Sequence, residues 1–299
     1  MKNSVCVDIY TPQIKKDECS FFKSDNIDVL NVYIKLYNAG FNVESLRENN
    51  KTLKFQNYSD DGQSGYRFID NTIEVPDKIY KDTITHELLH CASTILDGHA
   101  AHVGLMYGDF KTGELFGLCL NEGMTATLDL ELFGDYTDTK RENEEEVYPF
   151  AKRVIEILEL IVPRHTLDEA YFNSDLALLI KSLNKIRHNE NEVFAFIRDL
   201  DFVFMYLDLT HDDVPENKRR KFEKAWNNVQ YFLADSLYIC LNRYYEEGMI
   251  DEEELLDYLE ECKTILRAHI EVGGQKITKN KIRQYKKIEE NYKNRKKDA

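Results

Sequence analysis

The chain is poor in the residues that punctuate or cross-link a fold. Its 299 residues include only five prolines and 13 glycines, which excludes collagen-like and Pro/Gly-rich disordered classes. Six cysteines are scattered at Cys6, Cys19, Cys91, Cys119, Cys240 and Cys262, with no CxxC pair among them. Neither a disulfide framework nor a cysteine-rich metal knuckle is expected, and most of the thiols read as small buried apolar groups. No stretch approaches the roughly 18 uncharged apolar residues of a transmembrane helix. The first ten residues carry Lys2 and Asp8 and run into Pro12, Lys15 and Lys16, which breaks the apolar core a secretory signal needs. The expectation is a cytoplasmic chain with no membrane partner. Cations are in deficit too: 39 Lys/Arg stand against 54 Asp/Glu, for a formal charge of −15. Phosphate binding needs a cationic footprint, so nucleic acid is not favoured as a partner.

What is present is ample apolar and charged material. Hydrophobic residues make up 42% and charged residues 31% of the chain, enough for a core surrounded by solvated helices. The length suggests two domains at roughly 150 residues each. Residues 1–140 mix strand and helix signals. A helix is expected over Ile27 to Ala39, capped by Ser24 or Asp25 and ended by Gly40. Strand-like runs follow at Lys51 to Gln56 and at Tyr66 to Val75, the latter with Asp70-Asn71 as a turn and Pro76 as its stop. A helix is expected from Asp77 to Asp97, with Gly98 behind it. Val103 to Tyr107 and Leu115 to Leu120 flank Asp109 to Gly113 as a hairpin, and another helix runs from near Asn121 to Gly134.

Residues 141–270 read as a helical bundle. Val147 to Val162 places Val147, Phe150, Ala151, Val154, Ile155, Ile157, Leu158 and Ile161 on one broad face, with Pro149 in the first turn and Pro163 as the stop. Thr166 and Glu169 match a capping box. Further helices are expected over Glu192 to Leu207, Asn217 to Glu247 and Asp251 to Ile270, separated by Gly248. The tail, 271–299, has ten Lys/Arg against four Asp/Glu. It reads as a solvated terminal helix, or as a segment that contacts an acidic partner or folds back on the acidic body of the chain.

The chemistry concentrates at His86-Glu87-Leu88-Leu89-His90. Residues i and i+4 of an α-helix share a face, so both imidazoles can reach one metal ion. Glu87 sits about 100° round the axis, beside the metal, where it can take a proton from a water. Ile84, Leu88, Cys91, Ala92, Ile95 and Leu96 supply an apolar face away from the histidines. A random HExxH is expected about 0.02 times in a chain of this composition, and helical phase and motif phase agree, which a chance match need not do.

A catalytic zinc takes three protein ligands and keeps one position open. Downstream candidates for the third are His99, His102, Glu114, Glu122 and Asp129. The metzincin pattern fails, because it wants Gly and His where Ser93 and Leu96 stand. Glu122, in Asn121-Glu122-Gly123, is the best choice: a hairpin between two helices can return it to the histidine helix. Two neutral imidazoles and one carboxylate leave a divalent ion at net +1, able to polarise a carbonyl and acidify water.

HELLH followed by an NEG segment on a second helix resembles the gluzincin zinc metallopeptidases, thermolysin's group, over about residues 70–134. The resemblance implies an α+β, zincin-like catalytic part with a small sheet and an active-site helix, here followed by an all-α bundle. It implies zinc held by His86, His90 and Glu122, with Glu87 as general base in the hydrolysis of a peptide or protein substrate by a zinc-bound water. A substrate strand would then pair with a sheet edge, expected at Thr72 to Val75. The gap between the motifs is longer than in thermolysin-like enzymes. Related sequences also carry an acid four residues after the glutamate ligand, to orient a zinc histidine; here that residue is Ala126, which leaves Thr125 or Asp129 for the task. Tyr107, His99 and His102 are candidates for oxyanion stabilisation. Two other functions fit the same residues. One is a catalytically inert zinc-binding interaction module, its site closed by a fourth ligand such as His99. The other is hydrolysis of a non-peptide amide.

Overall fold

The computed structural model describes residues 27–58, 64–76, 81–134, 148–209 and 214–267. The expected caps Ser24 and Asp25, a helix start at Asp77 and the basic tail lie outside them. The fold is α+β, and the chain forms two compact units. The first comprises 1–115, 124–146 and 168–176; the second comprises 116–123, 147–167 and 177–299. No described helix is long and apolar enough to cross a membrane.

The first unit opens with α1 (Ile27–Asn38). Its Val29, Val32, Tyr33 and Leu36 follow the i, i+3, i+4, i+7 pattern and are all buried. Gly40 ends it at φ +82°, a conformation that glycine adopts without strain. A short helix, α2 (Glu44–Asn50), takes up residues just ahead of the expected strand, which begins at Lys54 instead of Lys51. Strands β1 (Lys54–Tyr58), β2 (Gly65–Arg67) and β3 (Thr72–Pro76) form a sheet in the order β1-β3-β2. β1 runs parallel to β3 and β2 antiparallel to it. Thr72 to Val75 is thus the central strand, and the expectation that it offers an edge is corrected: among the described residues the edges are β1 and β2.

Asn71, at φ 53°, turns the chain from β2 into β3. Its Nδ2 donates to the Asn49 carbonyl (2.6 Å) and to Thr52 Oγ1 (2.8 Å), and its Oδ1 accepts from the Tyr66 hydroxyl (2.9 Å). Asn49 Nδ2 in turn donates to the carbonyls of Cys91 and Thr94, at the end of α3 (Lys81–Ala92). These bonds satisfy backbone groups that a helix end leaves open.

Helix α3 ends at Ala92, five residues earlier than the sequence suggests. The hydroxyls of Ser93 and Thr94 donate back to the carbonyls of Leu89 and His90, which favours a stop over another turn. Ile95 and Leu96 therefore leave the expected core face and stand 45% and 44% exposed. They lie on β4 (Thr94–Leu96), the first strand of an antiparallel sheet ordered β4-β5-β6-β7, with β5 (Ala100–Val103), β6 (Met106–Asp109) and β7 (Leu115–Phe116). The turn over Asp109 to Gly113 forms as expected, its Asp109 Oδ1 accepting from the Lys111 and Thr112 amides. A second turn at Gly104-Leu105 separates Val103 from Met106, so the expected strand across them becomes two.

Helix α4 (Leu118–Phe133) starts three residues before the expected Asn121 and is shared by the two units. Within the second unit its first turn is capped by Asp201, whose carboxylate accepts from the Gly117 (2.7 Å) and Cys119 (2.9 Å) amides. The cap comes from a residue remote in sequence, which explains why local pattern misplaces the start.

The second unit is helical: α5 (Pro149–Glu159), the N-terminal part of α6 (Arg164–Phe172), α7 (Leu176–Arg187), α8 (Glu190–Phe204), a π turn (Met205–Leu209), α9 (Glu216–Glu246) and α10 (Glu252–Arg267). Pro149 occupies the first position of α5, and Ala151, Val154, Ile155, Ile157 and Leu158 form its buried face. Asp208 in the π turn caps α5 through the Ala151 amide (2.9 Å). The Thr166/Glu169 capping box does not form. Thr166 lies inside α6, its amide donating to the Pro163 carbonyl at 2.8 Å.

Candidate metal centre

Two helices build the site. Within the first unit, α3 and α4 meet side by side: Thr85 Oγ1 donates to Asp129 Oδ1 (2.5 Å), and Thr125 Oγ1 lies 3.4 Å from His90 Nδ1. Rising residue numbers on α3 meet falling numbers on α4, so the two run antiparallel. Glu122, Thr125 and Asp129 follow i, i+3, i+7 and share one face of α4.

The imidazoles converge. His86 Nε2 and His90 Nε2 are 3.1 Å apart, with ring planes at 76°. One ligand atom from each of His86, His90 and Glu122 lies within 4.8 Å of the others, and this group could hold a metal ion. The chemistry fits zinc: a tetrahedral ion with bonds of about 2.0–2.1 Å has ligand-to-ligand edges of about 3.4 Å, close to the imidazole spacing. Among the described residues, no fourth His, Cys, Asp or Glu joins the group. His90 is 6% exposed, so a cation here would be shielded from bulk water on the protein side.

Glu87 is also 6% exposed, and its Oε1 accepts from Ser64 Oγ at 3.1 Å. Ser64 directly precedes the edge strand β2. No sequence motif marks it; an isolated serine before a strand carries no signal. Gly123, the last residue of the NEG segment, has a packing role: a Cβ there would fall 2.5 Å from the Ala151 carbonyl oxygen. Only glycine allows so close an approach.

The other candidates lie elsewhere. Asp129 is engaged by Thr85 and stays outside the group. His99 sits in the β4–β5 turn, its amide donating to Asp97 Oδ1. His102 pairs across strands with Tyr107 and lies 3.5 Å from Asp97 Oδ2. Glu114 is an exposed turn residue. Cys91 and Cys119 are buried free thiols. Burial pushes the Cys91 thiol up to about 12 and the Cys119 thiol well above its ordinary range, so both stay protonated. Comparison with protein-family models, curated proteins and solved structures finds no match to this chain.

Proposed function

We propose that the chain is a zinc-dependent metallopeptidase of zincin-like architecture that works in the cytoplasm. One observation carries the reading: two histidines one helical turn apart and a glutamate from a second helix converge, with Glu87 next in sequence to the first histidine. The missing fourth ligand among the described residues favours an open centre over the closed one that a structural role needs. The buried free thiols support a reducing compartment.

Zinc, once bound, supplies polarisation of the scissile carbonyl and a more acidic water. The residues of this chain supply the rest. Glu87 takes the proton from the attacking water and passes it to the leaving nitrogen, while Ser64 holds Oε1 and leaves the other carboxylate oxygen to move the proton. An extended peptide adding to β2 would run past Ser64, which brings its backbone to Glu87.

The test is zinc content together with peptide hydrolysis for the parent and Glu87→Gln. Both proteins should bind one zinc, and hydrolysis should fall at least ~100-fold in the variant. Equal hydrolysis by the two would overturn the mechanism. Zinc uptake with hydrolysis by neither, across peptide and simple amide substrates, would favour the inert interaction module.

A further inference from the structure

The acid that stands behind a zinc histidine in related sequences is absent here, because Ala126 occupies its place. The structure puts hydroxyls behind His90 instead. Thr125 Oγ1 lies 3.4 Å from His90 Nδ1 and 2.8 Å from the Tyr171 hydroxyl, and Thr125 and Tyr171 are both completely buried. Tyr171 comes from α6, 46 residues further along, yet belongs to the first unit.

Four consecutive residues clamp that part of α6 to the first unit, each on a different partner. Tyr171 meets Thr125. Phe172 stacks on Phe41 with ring centroids 4.4 Å apart. Asn173 Oδ1 accepts from Asn42 Nδ2 at 2.7 Å. Ser174, at φ 52°, donates to the Ser93 carbonyl at 2.5 Å. A tyrosine held this firmly is a fixed point against which a threonine hydroxyl can be oriented.

We infer that Thr125 and Tyr171 form a neutral hydroxyl relay that positions His90 for metal binding, in place of a carboxylate. With Nε2 turned to the metal, Nδ1 carries the ring proton and donates to Thr125 Oγ1, and the Thr125 hydroxyl then donates to Tyr171. A carboxylate can only accept at this place, whereas a hydroxyl can also donate. The relay can therefore reverse by hydroxyl rotation. It then serves the opposite tautomer, in which Nε2 of His90 carries a proton and bonds to Nε2 of His86, 3.1 Å away. The centre can thus be empty or loaded without movement of the helices. Thr125 and Tyr171 are positioning residues that act through His90.

This inference rests on the metal reading proposed above, and zinc ion alone tests it. Zinc affinity is measured by competition with a chromophoric chelator on the full chain, with thermal melting of the metal-free form as a folding control. Thr125→Val should weaken zinc binding 10–100-fold, the range found when the partner behind a metal histidine is removed. Thr125→Ser keeps the hydroxyl and should stay within about 3-fold of the parent. Tyr171→Phe keeps the packing and should fall between the two. Nitrogen-15 NMR of the zinc-loaded parent should show the His90 proton on Nδ1. Parent affinity in Thr125→Val, or a proton on Nε2 of zinc-loaded His90, would overturn the relay alone. A parent chain that takes up no zinc overturns both this inference and the metal reading.

Discussion

Both units contain buried or half-buried carboxylates, and they use them differently. In the second unit Asp201 and Asp208 accept from backbone amides at helix starts, Gly117 and Cys119 for one and Phe150 and Ala151 for the other. Near the metal group the carboxylate partners are side chains: Ser64 for Glu87 and Thr85 for Asp129. A helix terminus offers fixed N–H groups and a positive dipole end, so a carboxylate there completes a structure and has little left to offer. Glu87, held at one oxygen by the Ser64 hydroxyl, is placed to use its other oxygen for chemistry. Burial alone does not separate function from structure; the identity of the partner does.

The comparison breaks if removing a metal-facing carboxylate damages the fold, or if removing a capping one damages metal binding. Glu122→Ala carries the largest expected effect. Zinc affinity should drop by at least ~100-fold, while the metal-free chain keeps its stability within about 1 kcal/mol, as read by calorimetric zinc titration and urea unfolding. Gly123→Ala should come next. Its new Cβ meets the Ala151 backbone at 2.5 Å, which a side-chain rotation cannot relieve. Urea unfolding should show a loss of about 1–3 kcal/mol, with a smaller loss of zinc affinity than Glu122→Ala because the neighbouring ligand is displaced, not deleted.

The smallest effect sharpens the contrast through pH. Burial raises the Asp201 carboxyl to about 6, against the pull of the Cys119, Gly117 and Leu118 amides. The folded chain therefore binds this proton more readily than the unfolded chain, whose value is near 4. The contribution of Asp201 to stability is fully present below about pH 4 and is lost as pH rises through about 6. Urea unfolding of metal-free protein between pH 4 and 7 should show a decline on the order of 1–2 kcal/mol that Asp201→Asn lacks. The variant should bind zinc at pH 7.5 as the parent does; weaker binding would show that the cap also positions Glu122.

Much of the candidate site was legible because it is local. His86 and His90 share a face by helical geometry, and the step to Glu122 needed only a hairpin between two helices. The hairpin proved to be part of a four-stranded sheet, which still returns the chain to α4. Thr125 was readable, with Asp129, as a candidate for the place of the absent acid, and the structure brings its hydroxyl to 3.4 Å from His90 Nδ1. Tyr171 was not readable, because nothing in the spacing of α6 distinguishes it from an ordinary core aromatic. Ser64 was missed for the same reason. Element ends failed where side chains competed with the backbone, as Ser93 and Thr94 do at the end of α3, or where a distant residue set the boundary, as Asp201 does for α4.

Sequence alone determined the donor types, their spacing along each helix and the acidic balance of the chain. All of these follow from periodicity and composition, which operate over a few residues. Tertiary packing alone decided which strand lies at the sheet edge, that a glycine must sit against Ala151, and that a tyrosine 46 residues away stands behind Thr125. Those facts depend on which surfaces exclude water together, and that is a property of the whole folded chain rather than of any stretch of it.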